Sequence, residues 1–193
     1  MSDQALSAVV EKRGDRQVYR TRAAIRSAFN HLILSIGYDA ISAADVAARA
    51  NVGRSTFYEH YPSKDDLLAE SLVAVLEPLA KACQAQKPDP RILRIIEHFW
   101  DNRQLAKALL SGRARMIMTR QLAGLIEQSL CLEASSEGSG QTAIPISLVA
   151  VQLASGQLAL IDEWLSGRYG CSATQIASAL QSISSATVDS LKA

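Results

Sequence analysis

Residues 47–68, AARANVGRSTFYEHYPSKDDLL, decide the fold. Asn51-Val52-Gly53 interrupts two short helical runs, one over about Ala43 to Ala50 and one from Arg54 to about Tyr61, where Pro62 stops the second. Two short helices joined by a three- to four-residue turn form the unit that lays its second helix in the major groove of DNA. Val46, Ala47, Ala50, Val52, Phe57 and Tyr61 fall on the side turned to a core, with alanines where the two helices approach. The opposite side offers Arg54, Ser55, Thr56, Tyr58 and His60. Arginine pairs bidentately with guanine, and serine or threonine bonds base or phosphate. Tyr58 and His60 sit further along the helix and suit phosphate better than bases.

Upstream, Ile25, Ala28, Phe29, Leu32, Ile33 and Ile36 form the apolar stripe of a longer helix that begins near Tyr19 and ends at Gly37. Ser42-Ala-Ala-Asp45 has capping-box spacing, and Ser63-Lys-Asp-Asp66 repeats it at the start of a long fourth helix, where Pro78 should introduce a kink. Asp89-Pro90 caps a fifth helix to Trp100, a sixth spans about Asn102 to Leu110, and a seventh about Gly112 to Leu132. Glu133 to Thr142 is polar and rich in Gly and Ser, hence a loop. An eighth helix follows from about Ile144 to Leu165, and Ser172-Ala-Thr-Gln175 opens a ninth whose stripe reads Ile176, Leu180, Ile183, Thr187 and Leu191. The fold expected is all-α: a three-helix helix-turn-helix domain over residues 19–66 behind a flexible arm over 1–18, then a larger helical domain over 67–193.

Composition agrees. The 193 residues are 48% hydrophobic but only 5% aromatic, a balance that suits helices rather than strands. Net charge is +1 overall, yet Lys12 to Lys64 holds nine basic against four acidic residues, while 65–193 holds eleven against thirteen. That asymmetry gives the N-terminal third the positive footprint that phosphate backbones attract. Lys12, Arg13 and Arg16 suit an arm entering the minor groove, or a solvated tail. Cys83, Cys131 and Cys171 are widely spaced without a CxxC, so neither a disulfide framework nor a metal site is expected, and the cytoplasm is the natural compartment. The opening residues show no basic start followed by an apolar run, so no secretory signal is expected. Gln141 to Ile161 is uncharged and long enough to span a bilayer, but its Ser, Gln, Gly and Pro content reads as a buried interface helix. HExxH, Walker and GxSxG motifs are missing and the three histidines lie on separate helices, so no enzyme and no cofactor is expected.

Ile41-Ser42-Ala-Ala-Asp45-Val46-Ala47, Val52 to Tyr61 and Ser63-Lys64-Asp-Asp-Leu67-Leu68 together resemble the TetR family of bacterial transcription regulators, with Tyr61 in place of a common phenylalanine. The resemblance covers about 45 residues. It implies that Thr21, Ser42, Tyr58, His60 and Lys64 hold phosphates, that Arg54, Ser55 and Thr56 face base edges, and that Arg22 joins the DNA-facing set. It further implies a repressor that binds a palindromic operator in double-stranded DNA as a homodimer and leaves it when a small-molecule effector binds.

The last two helices carry apolar stripes interleaved with Ala, Ser and Gly, too apolar to be left wet, and are expected to pair with their copies in a second subunit. Helices four to seven would then enclose the effector, for which His98, Phe99, Trp100, Arg103, Met116, Met118 and Trp164 have the most suitable chemistry. A different class of reading is a helical adaptor or nucleoid-type protein that uses the same DNA-binding unit but answers to a protein partner.

Overall fold

The computed structural model describes residues 3–84, 89–137 and 144–192. Among them all regular structure is helical: α1 Asp3–Ile36, α2 Ala43–Arg49, α3 Arg54–His60, α4 Lys64–Ala80 with a 3₁₀ turn Lys81–Cys83, α5 Pro90–Asp101, α6 Arg103–Leu109, α7 Gly112–Glu137, α8 Ile146–Leu165 and α9 Ala173–Lys192. The chain divides into two compact units, Met1–Leu67 and Leu68–Ala193.

In the first unit, Ile25, Phe29, Ile33, Tyr38, Ile41, Val46, Ala47, Phe57, Tyr61 and Leu67 close one core. Gly37 ends α1 in the left-handed region, at φ +78°, with its amide on the carbonyl of Ile33. Ser42 caps α2 as its spacing predicts: its hydroxyl accepts from the Asp45 amide while the Asp45 carboxylate accepts from the Ser42 amide. Helix α1 starts far ahead of Tyr19, so its backbone takes in most of the segment expected as an arm. No proline interrupts residues 1–61, and Ala, Leu, Gln and Glu near the start favour helix. The side chains of Lys12 and Arg13 lie outside the described residues, and Arg16 is exposed.

The second unit is built on α7 and α8, which run antiparallel: Arg115 near the start of α7 pairs with Asp162 near the end of α8 at 2.7 Å. Ala114, Met118, Leu122, Ile126 and Leu130 bury one side of α7, and Val149, Ala150, Leu153, Ala154, Leu158 and Ile161 one side of α8. Helix α8 is long and apolar enough to cross a membrane, but this face is given to the core. Helix α9 packs against α5 and the 3₁₀ turn through Ile176, Ala177, Leu180, Ser184 and Val188, which leaves Ile183 exposed rather than on the buried stripe. At the centre, the Gln157 amide donates to Ser184 Oγ at 2.9 Å and to the Leu79 carbonyl at 3.3 Å. Pro78 lies inside α4, and the switch to a 3₁₀ turn at Lys81 follows within one turn. The Glu133 to Thr142 segment, expected as a loop, is helical as far as Glu137; residues 138–143 lie outside the described residues.

Candidate nucleic-acid interface

Helix α3 has two sides because its sequence has two. Phe57 and Tyr61, four residues apart, are both buried, their rings 6.0 Å apart. Arg54, Ser55 and Tyr58 are exposed, and Thr56 and His60 half-buried at the flanks. Tyr58 meets the buried Phe57 edge-on at 5.5 Å, which braces its ring while the phenol stays in solvent. The turn that delivers α3 depends on Asn51, at φ +54°, a conformation that asparagine tolerates and β-branched residues resist. Gly53 caps α3 without a side chain, so the first amides of this helix remain open to an outside acceptor.

The expected phosphate contacts fall into two groups. Tyr58 is exposed and Thr21 and His60 are half-buried, with Tyr58 and His60 in ring contact with Phe57 and Tyr61. Ser42 and Lys64 are committed. The Ser42 hydroxyl donates to the Asp45 carboxylate at 2.6 Å. The Lys64 ammonium donates to the carbonyls of Ile41 (2.6 Å), Tyr38 (2.9 Å) and Asp39 (3.3 Å), and lies 4.7 Å from the Tyr38 ring centre. Its three protons thus tie the start of α4 to the turn between α1 and α2. The neighbouring Asp65 accepts from the Tyr38 hydroxyl. Arg22 lies over the Tyr61 ring at 5.2 Å, fixing α1 against the end of α3.

One functional relationship escaped the sequence. The Ser42 hydroxyl and amide, and beyond them the charge of Arg54, hold the Asp45 carboxyl below its ordinary pKa. Asp45 is therefore ionised beside the first residue of α3. Its capping role was legible from spacing, but its proximity to Arg54 needs the three-dimensional turn.

In the second unit, the side chains expected to grip an effector do not line one cavity. Phe99 and Met118 are core. Trp164 is buried with its indole N–H on the Cys171 carbonyl at 2.9 Å, and stacks on Trp100 with ring centres 4.9 Å apart. Arg103 lies over Trp100 and donates to the Leu165 and Ser166 carbonyls at 2.7 and 3.2 Å, capping the end of α8. His98 is exposed and bonded to Asn102. Met116 alone faces a groove, of about 580 Å³, between α7 and α8, with Arg115, Thr119, Arg120, Ala123, Gly124, Glu127, Ser147 and Val151. Arg120, Gly124 and Glu127 were not anticipated, since only the turn of α7 aligns them.

Residues 25–71 match the family described as bacterial regulatory proteins, tetR family. An uncharacterized HTH-type transcriptional regulator, YxbF of Bacillus subtilis, is 41% identical over 59 residues, which are 30% of this chain and 16% of that relative. The chain thus spans a small part of the length of that relative. Over nearly the whole length, a TetR transcriptional regulator from Streptococcus agalactiae is similar in structure, with 27% identity, 92% of this chain and 98% of that one covered, and a TM-score of 0.61. NalD of Pseudomonas aeruginosa, the secondary repressor of a multidrug efflux pump, shares the fold at 20% identity and a TM-score of 0.52, with 86% and 96% covered. With its two-sided α3 in a three-helix unit, the first unit carries, over residues 25–71, the DNA-binding domain of the bacterial tetR-family regulatory proteins, and the whole chain is similar in fold to a TetR transcriptional regulator.

Proposed function

We propose that this regulator acts in the cytoplasm as a homodimeric repressor that holds a two-fold-related operator through paired α3 helices and releases it when a small molecule binds the second unit. The observation that carries the proposal is the division of α3: Phe57 and Tyr61 are anchored in the core while Arg54, Ser55 and Tyr58 stand in solvent on the opposite side. Arg54, Ser55 and Thr56 read base edges; Thr21, Tyr58 and His60 hold phosphates, with Arg22 and the Ser42 cap at the margin. Lys64 acts instead as a brace, its donors engaged by three carbonyls. Dimerisation supplies the second α3 one DNA turn away, and the copies pair through the exposed sides of the C-terminal helices.

Effector binding must favour one separation of the two α3 helices over another, with α4, whose first turn belongs to the DNA-binding unit, as the connecting element. Selection of bound duplexes from a random pool at a stated salt concentration tests the DNA-binding claim: a two-fold-related consensus is expected, and recovery of unrelated sequences would reject it. Thermal shifts across a small-molecule panel test the sensor claim, and a regulator stabilised only by a protein partner would be an adaptor instead.

A further inference from the structure

Gln157, in the middle of α8, is only 4% exposed, and one end of its amide is left over. Its Nε2 donates to Ser184 Oγ on α9 at 2.9 Å and to the Leu79 carbonyl on α4 at 3.3 Å. A carbonyl only accepts, so the Leu79 contact fixes which end of the amide faces it and turns Oε1 away. That oxygen is buried and has no hydrogen-bond partner among the described residues. One turn from these three residues, on their own helices, lie the buried apolar Leu153, Ala154, Ile161, Leu180, Val188 and Leu76. An acceptor held without a donor in such surroundings costs stability that an apolar side chain of similar size would not cost.

The second unit buries three polar side chains among the described residues, Gln157, Gln181 and Ser184, and no charged one. Gln181 spends its Oε1 on the Asp89 amide at 3.1 Å. A carboxylate or ammonium brought into this interior would meet no buried counter-charge, and its desolvation would go unrepaid. A neutral guest with a proton to donate meets the open oxygen of Gln157.

We infer that the effector site of the second unit is centred on Gln157 and takes an uncharged, largely apolar molecule that donates one hydrogen bond to Gln157 Oε1. The inference rests on the sensor reading above and names the chemistry of its ligand. It also gives that ligand a route to α4. The amide that meets the guest is the one that holds the Leu79 carbonyl, next to Pro78 and one residue before the end of α4. Of its two bonds this is the longer, so a guest that draws the amide toward itself loosens the last turn of α4 first.

A panel of apolar bodies tests it, from alkyl chains to substituted benzenes and naphthalenes, each carrying in turn a hydroxyl, a methyl ether or a carboxylate. Thermal shift of the full chain at neutral pH finds the bodies that bind, and calorimetry gives their Kd. On wild type the hydroxyl form should bind at least about tenfold tighter than its ether, because the ether leaves the acceptor unpaired, and the carboxylate should give no shift. In Gln157→Met, similar in volume but without the acceptor, the hydroxyl and ether forms should come within about twofold of each other. Circular dichroism confirms that this variant folds, and the comparison on wild type needs no variant. Hydroxyl and ether forms of equal affinity on wild type, or a preference for the hydroxyl that survives in Gln157→Met, would overturn the assignment of Gln157. Carboxylates that bind more tightly than the hydroxyl forms would overturn the ligand chemistry while leaving the sensor reading intact. A wild-type chain that no member of the panel stabilises would overturn both.

Discussion

The Nζ of Lys64 lies 2.6 Å from the carbonyl oxygen of Ile41, with the carbonyls of Tyr38 and Asp39 completing its shell. A residue whose position in the motif suggests phosphate binding is therefore spent on closing the turn between α1 and α2. Lys64→Met should cost about 1.5–3 kcal/mol in urea denaturation, the range for hydrogen bonds to a charged group. It should leave the salt dependence of DNA binding unchanged. A phosphate contact would instead flatten the slope of log K against log salt by about one unit with little loss of stability.

Asn51 at φ +54° makes a second prediction about the same unit. Asn51→Gly should be nearly neutral, because glycine enters this region freely. Asn51→Val should lose roughly 1–2 kcal/mol of stability, the usual penalty for a left-handed L-residue made worse by β-branching. Chemical denaturation of the two variants distinguishes them directly.

The Asp45 carboxyl, held low by the Ser42 hydroxyl and amide, ties the cap of α2 to pH. Its folded pKa lies below its unfolded one, so its stabilisation is present above the unfolded value, about 4, and is lost as pH falls through the folded value. The stability difference between wild type and Asp45→Ala should thus be constant from neutral pH to about 5 and shrink below about 4. A difference that grows in acid would contradict the assignment.

Gly167 and Gly37 both have positive φ, at +76° and +78°, but different surroundings. A Cβ at Gly37 meets nothing, whereas one at Gly167 falls 3.0 Å from Arg103 Nη2, which two carbonyls and the Trp100 ring hold in place. Gly37→Ala should cost about 1 kcal/mol for conformation alone, and Gly167→Ala more. In an Arg103→Ala background the Gly167 cost should fall to the Gly37 value. Trp100 and Trp164 are the chain's two tryptophans and both belong to this cluster, so intrinsic fluorescence follows its opening.

The helical plan was legible because short-range chemistry writes it: the Ser42 and Ser172 boxes, the Ser63 hydroxyl accepting from the Asp66 amide and the Asp89 cap all form at the expected spacing. The division of α3 was legible for the same reason, since Phe57 and Tyr61 lie one turn apart. What spacing does not record is where a long side chain ends. Lys64 and Arg103 each carry a charge fit for a ligand, and each points it at backbone carbonyls distant in sequence, Lys64 at the turn between α1 and α2 and Arg103 at the end of α8. Periodicity also misplaced Ile183, because the buried side of α9 is set by α5 and the 3₁₀ turn and runs through Ser184 and Val188. The α7 groove joins residues that lie far apart in sequence on two helices, which no motif describes.

The most direct test of the central claim is the affinity of wild type and of the Arg54→Ala, Tyr58→Ala double variant for a duplex selected by the wild type, at matched salt. Both side chains are exposed, so the variant should keep its fold and melting temperature. We predict at least about a tenfold loss of specific affinity, since a bidentate base contact alone discriminates by about 1–3 kcal/mol, with weaker non-specific binding remaining. Equal affinity of the two proteins for the selected duplex would contradict the assignment of α3 as the recognition helix.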